Sequence, residues 1–157
     1  MANLASTFWN QGRWKEAEEL EVQVKDTRKR VLGAEHPDTL TSIANLASTF
    51  WNQGRWKEAE ELDVQVKDTR KRVLGAEHPD TLTSMVNLAS TYRIQGRWKE
   101  AEELQAQELE ICSRVLGEEH PDTLISMQNL ALIWKGNGRD MEALQLLQKC
   151  LQLRKQI

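Results

Sequence analysis

The side chains that invite chemistry in this chain recur at a fixed interval. His36, His78 and His120 stand 42 residues apart, each opening the word His-Pro-Asp-Thr-Leu. Three imidazoles suggest a metal site or a proton-transfer site. Zinc–imidazole bonds are ~2.1 Å long and their ligands must converge on one point, whereas equivalent residues of stacked helices lie roughly 10 Å apart. The histidines therefore form a row, and each reads as the cap of the helix that Pro37, Pro79 or Pro121 begins. Cys112 and Cys150 sit in no ligand-like spacing, which suits a reducing compartment and supplies no disulfide framework. Asn3, Asn45, Asn87 and Asn129 form a second row. A carboxamide offers two donors and an acceptor, so it can pair with the backbone C=O and N–H of an extended peptide whatever its sequence. No nucleophile–base–orienter set, phosphate-cradling glycine loop or singular carboxylate pair emerges. Every candidate catalytic residue recurs in each copy, whereas one active site needs a singular arrangement. The chain is expected not to be an enzyme, with no catalytic residue, no metal and no cofactor.

The repeat determines which elements carry these rows. Leu4, Leu46, Leu88 and Leu130 recur every 42 residues, as do Gly12, Gly54, Gly96 and Gly138. Units 3–44 and 45–86 differ only at Glu21/Asp63, Ile43/Met85 and Ala44/Val86, whereas 45–86 and 87–128 differ at 14 positions. A fourth unit, 129–157, is shorter. Units one and two agree even at exposed Lys, Glu and Gln, where drift costs almost nothing. Recent duplication, gene conversion or deliberate construction explains that agreement. With no linker and no shift in composition, 1–157 reads as one array.

Each unit reads as two helices. Pro37 suits a first helical position and Asp38 the positive end of the dipole. Leu40, Ile43, Leu46, Ala47 and Phe50 then step by three or four residues to form one apolar stripe. Gly54 caps that helix in the left-handed region. The second helix starts near Trp56, carries Ala59, Leu62, Val66, Thr69 and Val73, and ends at Leu74-Gly75. Acids come early (Glu16, Glu18, Glu19, Glu21) and bases late (Lys25, Arg28, Lys29, Arg30), an order that complements the helix dipole. The basic run, repeated as Lys67 to Arg72, reads as a solvated helix end. It weakens in the third unit and has no interleaved aromatics, so a nucleic-acid partner is not favoured.

Ile43-x2-Leu46-Ala47-x2-Phe50, followed by Ala59 beyond Gly54 and Trp56, resembles the tetratricopeptide signature of large-x2-Leu-small-x2-aromatic, then Ala. The 42-residue period and the blocks His-Pro-Asp-Thr-Leu, Asn-Leu-Ala and Gly-Arg-Trp-x-Glu-Ala-Glu make the unit similar to the kinesin-light-chain type of that repeat. Near-identical tandem copies resemble the C-terminal arrays of fungal NOD-like (STAND) receptors. Where the family places an aromatic four residues after the Ala, this chain has Glu21, Asp63 or Gln105, which puts the tightness of local packing in question.

The resemblance implies an all-α, right-handed superhelical solenoid of helix-turn-helix hairpins, about eight helices in nearly four repeats. It also implies that first helices line a concave face. Facing inward would be the Asn row and the rows Ser6/Ser48/Ser90/Leu132, Trp9/Trp51/Arg93/Lys135, Asn10/Asn52/Ile94/Gly136 and Ala2/Ala44/Val86/Gln128. The candidate peptide-binding residues are Asn3, Asn45, Asn87, Asn129, Ser48, Ser90, Trp9, Trp51, Arg93, Ile94 and Lys135. Asn ladders are what such repeats use to hold peptides. Trp9 and Trp51 would add apolar area, and Arg93 and Lys135 positive charge, so a ligand with an apolar segment followed by an acidic one is expected. Trp14, Trp56 and Trp98 fall where the family places a packing aromatic, and they read as core, as does Trp134.

Composition narrows the function classes. Lys+Arg 21 against Asp+Glu 24 leaves a net charge of -3, which argues against a protein built to hold a polyanion. No apolar run approaches the ~20 residues of a membrane span, and no leader opens the chain. The last helix carries Leu144, Leu147, Leu151 and Leu153, and an uncovered leucine forgoes ~1.5–3 kcal/mol of burial. A segment excised from a longer array, able to associate end to end through uncapped terminal repeats, is therefore expected. The main functional expectation is a cytoplasmic protein- or peptide-binding module, the sensor region of a fungal NLR-type receptor. The alternative is a structural or self-assembling scaffold, natural or engineered, without a dedicated ligand.

Overall fold

The computed structural model describes residues 2–155, with side chains from Leu4 onward. Its described residues contain eight helices and no strand: α1 (Ala2–Asn10), α2 (Trp14–Leu32), α3 (Pro37–Asn52), α4 (Trp56–Leu74), α5 (Pro79–Ile94), α6 (Trp98–Leu116), α7 (Pro121–Gly136) and α8 (Asp140–Arg154). The chain divides into two compact units, 1–84 and 85–157, with the division inside α5. In the first unit α1 packs on α2, α2 on α3 and α3 on α4; in the second α6 packs on α7 and α7 on α8.

Local chemistry explains the boundaries. The Nδ1 atoms of His36, His78 and His120 accept the backbone N–H of Asp38, Asp80 and Asp122 at 3.2, 3.1 and 3.2 Å. These histidines cap the helices that the prolines begin, as the sequence indicates. The threonine of the same word closes the loop from the other side: Thr39, Thr81 and Thr123 donate to the carbonyls of Gly33, Gly75 and Gly117 at 2.8, 2.8 and 2.7 Å. At the other end of α3, Arg55 N–H reaches the Phe50 carbonyl at 2.9 Å and Gly54 N–H reaches Trp51 at 3.1 Å. That is a Schellman ending, and it requires the positive φ of +76° at Gly54.

Leu40, Ile43 and Val66 form the buried cluster of the first unit, with Ala44 and Leu62 against it. Leu124, Met127 and Cys150 form that of the second, with Leu109, Leu146 and Leu153 around them. The second helices differ from the sequence expectation. In α4 the buried row is Ala59, Asp63, Val66 and Arg70, while Val73 is exposed. Positions whose polarity put packing in question are nevertheless buried: Glu21, Asp63 and Gln105 are 7%, 6% and 1% exposed. Nor is the basic run simply solvated, because Arg70 is buried. On α8, Leu153 joins the core, whereas Leu144, Leu147 and Leu151 stay exposed.

Candidate functional site

A repeated clamp holds each hairpin and with it the orientation of the first helix. Arg13, Arg55, Arg97 and Arg139 lie over the rings of Phe8, Phe50, Tyr92 and Trp134 at 4.2, 4.1, 4.3 and 4.9 Å. Guanidinium stacking of this kind favours arginine over lysine. Each arginine also pairs with the glutamate three residues on, Glu16, Glu58, Glu100 or Glu142. Arg55 and Arg139 extend further, to Glu18 at 2.8 Å and Glu102 at 2.6 Å on the preceding second helices. Trp134 Nε1 donates to the same Glu102 at 2.8 Å. Its packing role matches the sequence reading. The Gly-Arg-x2-Glu spacing is the available signal for the clamp; the aromatic partner five residues before the arginine becomes apparent only once the turn is built.

In the first unit, Ser6, Trp9, Asn10, Glu21, Asn45 and Ser48 line one cavity of about 260 Å³. Trp9, Asn45 and Ser48 are candidate peptide-binding residues, and Ser6 and Ser48 meet there although 42 residues separate them. Glu21 is the unexpected member. Its carboxylate accepts the Thr49 hydroxyl at 2.7 Å. Burial pushes its pKa up, the hydrogen bond from Thr49 opposes that, and the charge of Glu18 adds to the rise. The resemblance puts the tightness of packing at this position in question, and the sequence does not mark it as a wall of the cavity. Trp9 packs edge-on against Trp14, with ring centroids 5.4 Å apart.

The remaining candidates are dispersed. Asn3 lies outside the described side chains. Trp51 is half-buried, and its indole N–H is buried with no hydrogen-bond partner. In the second unit Asn87, Ser90, Arg93 and Asn129 are half-buried, whereas Ile94 and Lys135 are exposed. Trp56, read as core, is 39% exposed. Trp98 packs on Gly136, where a Cβ would lie 2.5 Å from the far edge of the indole. No group of three or more His, Cys, Asp or Glu side chains able to hold a metal forms among the described residues. No helix among them is long and apolar enough to cross a membrane.

The second unit holds a buried acid of its own. Glu108 accepts Gln105 Nε2 at 2.7 Å, Cys112 Sγ at 3.0 Å and the Ser126 hydroxyl. Burial pushes its pKa up against those three hydrogen bonds, with Asp122 adding to the rise. Burial, then the bond to Glu108, raises the Cys112 thiol to about 12. Both its raised pKa and its burial oppose thiolate reactivity, which needs a lowered pKa and access.

Tandem hairpins with capped first helices and an aromatic–arginine clamp define an α-helical repeat protein. The tetratricopeptide repeat family matches the chain over 1–63, 42–107 and 80–156, and the chain belongs to that family. It is similar to a crystal structure of the nearly identical TPR-like repeats of a Podosopora anserina protein assigned as a kinesin light chain. That match has 35% identity and a TM-score of 0.88, over 99% of this chain and 74% of that one. A point-substituted form of the same repeats matches at 35% identity and 0.88, over 99% of this chain and 73% of the other. BtubC (BKLC) from P. vanneervenii shares the fold at 19% identity and a TM-score of 0.87, over 98% of this chain and 61% of that one. No curated protein matches the sequence. The kinesin-light-chain-like character of the repeats, read from the 42-residue blocks, is thus matched by solved structures, and tetratricopeptide repeats are in general protein-interaction scaffolds.

Proposed function

We propose that the chain is a non-catalytic, cytoplasmic module that holds an extended peptide or protein segment along its first helices. The observation that carries this reading is the first-unit cavity, where Asn45, Ser48 and Trp9 converge on an open, mostly polar space. Asn45 is the one exposed member of its row among the described side chains, so its carboxamide is available to a peptide backbone. Trp51 supports the reading, because a buried indole N–H without an acceptor costs about 1–3 kcal/mol and suits a position that gains an acceptor on binding. The ligand would place an apolar segment by Trp9 and Trp51 and acidic residues by Arg93 and Lys135. Asn87, Asn129, Ser90 and Ile94 complete the proposed surface, and the parent would be a fungal NLR-type receptor. The test is a binding titration with an extended peptide of apolar then acidic residues. Asn45→Ala and Arg93→Glu should each weaken it at least about tenfold, the loss expected for a charged or bidentate contact. Unchanged affinity in both variants would remove the groove.

The second reading, a self-assembling scaffold, is favoured by the exposed leucine row of α8. In this chain α2 and α6 are each covered by the next first helix, and Leu144, Leu147 and Leu151 offer an apolar face to the first helix of another copy. Sedimentation at rising concentration tests this, and a strict monomer throughout would dismiss it.

A further inference from the structure

We propose that the first-unit cavity is a subsite for one basic side chain, a lysine or arginine of the bound segment, with Glu21 as its counter-charge and the Trp9 indole as its apolar wall. This rests on the groove reading above and adds to its ligand one basic residue within the apolar segment, at the position that meets Trp9. At about 260 Å³ the cavity is smaller than the ~300–1,000 Å³ of small-molecule sites. It suits a single side chain better than a cofactor.

Its walls favour a cation. Among the described residues that line it, Glu21 alone has an ionisable side chain. The charged group acting on it most is Glu18, another acid. Arg28 lines an adjoining cavity with Glu21, but its guanidinium is held by the Ser42 hydroxyl at 2.8 Å and the Asp38 carbonyl at 3.0 Å. An incoming ammonium or guanidinium would find a carboxylate that burial has stripped of water, oriented by Thr49. The carboxamides of Asn10 and Asn45 and the hydroxyl of Ser48 offer further acceptors for its protons. The indole of Trp9 can cover the alkyl stem and attract the charge. Neutral hydrogen-bonding groups also fit this position in the repeat, since Gln105 occupies it in the third copy at 1% exposure.

The experiment is an NMR titration of the isotope-labelled chain with acetyl-Ala-Ala-Lys-Ala-Ala-amide and with the same peptide carrying norleucine for lysine. The lysine peptide is expected to move the Trp9 indole and Asn45 carboxamide resonances, and norleucine to bind about tenfold more weakly. Glu21→Gln should bring lysine down to the norleucine affinity. Should Glu21→Gln fail to fold, judged by its thermal melt, the two peptides on the unchanged chain still decide the matter. Equal affinity for both peptides would overturn the basic subsite and leave the groove standing. Movement confined to resonances outside the cavity, or none at all, would overturn both.

Discussion

In the first unit Arg28 reaches from α2 to the Ser42 hydroxyl and the Asp38 carbonyl at the start of α3. Arg70 makes the same contacts from α4, with Ser84 at 2.9 Å and the Asp80 carbonyl at 3.2 Å. In the second unit the equivalent serine, Ser126, instead donates to Glu108, which comes from one turn earlier on α6. The residue at the arginine position is Cys112, and the residue at the glutamate position is Val24 or Val66 in the other copies. A valine–arginine pair has become a glutamate–cysteine pair around an unchanged serine. A hydroxyl tolerates the exchange because it can accept from a guanidinium or donate to a carboxylate. The lesson is that a repeat's buried polar positions vary as sets. A lone change would leave a donor or an acceptor stranded where water cannot reach it.

The largest expected effect is on Arg70→Cys alone. It removes a buried cation and its hydrogen bonds, and should cost about 2–4 kcal/mol in urea denaturation. The comparison sharpens if Asp63→Gln, Val66→Glu and Arg70→Cys are combined, which transfers the second unit's set to the first. The triple variant should be more stable than the sum of its singles by about 1–3 kcal/mol. Agreement with simple addition to within ~0.5 kcal/mol would break the idea that these positions form a set.

A smaller effect concerns pH. Burial raises the pKa of Glu108, so its favourable contribution is present below the unfolded value of ~4.3 and is lost as pH rises through the folded value. Glu108→Gln should flatten that part of the stability curve, the native chain losing stability relative to the variant as pH climbs across that window. Glu21 titrates in the same sense but is common to both proteins, so the difference between the curves isolates Glu108. Two parallel curves would count against a buried, desolvated acid. Native Cys112 and Cys150, both buried, should react with a thiol reagent only as fast as the chain opens, and fast labelling of either would contradict the packing of the second unit. The smallest effect belongs to the surface. Arg72 meets Glu35 at 2.5 Å with both side chains more than half exposed, and Arg72→Ala should leave the unfolding midpoint unchanged within error.

The contrast between these joints also marks how far a sequence can be read. The histidine caps, the prolines at first helical positions and the glycine endings are legible because each depends on partners a few residues away. Five apolar positions from Leu40 to Phe50 are legible for the same reason, as the turn of an α-helix brings them to one side. The second helices are less so. Thr69 and Val73 follow the apolar spacing, yet the row that turns inward is Ala59, Asp63, Val66 and Arg70. The candidate site is legible in part: the rows place Trp9, Asn45 and Ser48, whereas at Glu21 the sequence puts only the tightness of packing in question. Its hydroxyl partner, Thr49, stands 28 residues away on another helix.

The order of residues by itself determined the repeat, its helices and where they stop, because turn geometry, capping and dipole effects act within a few residues along the chain. Only the folded arrangement decided which polar side chains are enclosed and what satisfies them. Burial and pairing depend on what the neighbouring helix presents at that height, and the choice between arginine and glutamate at one joint carries no mark in the local pattern.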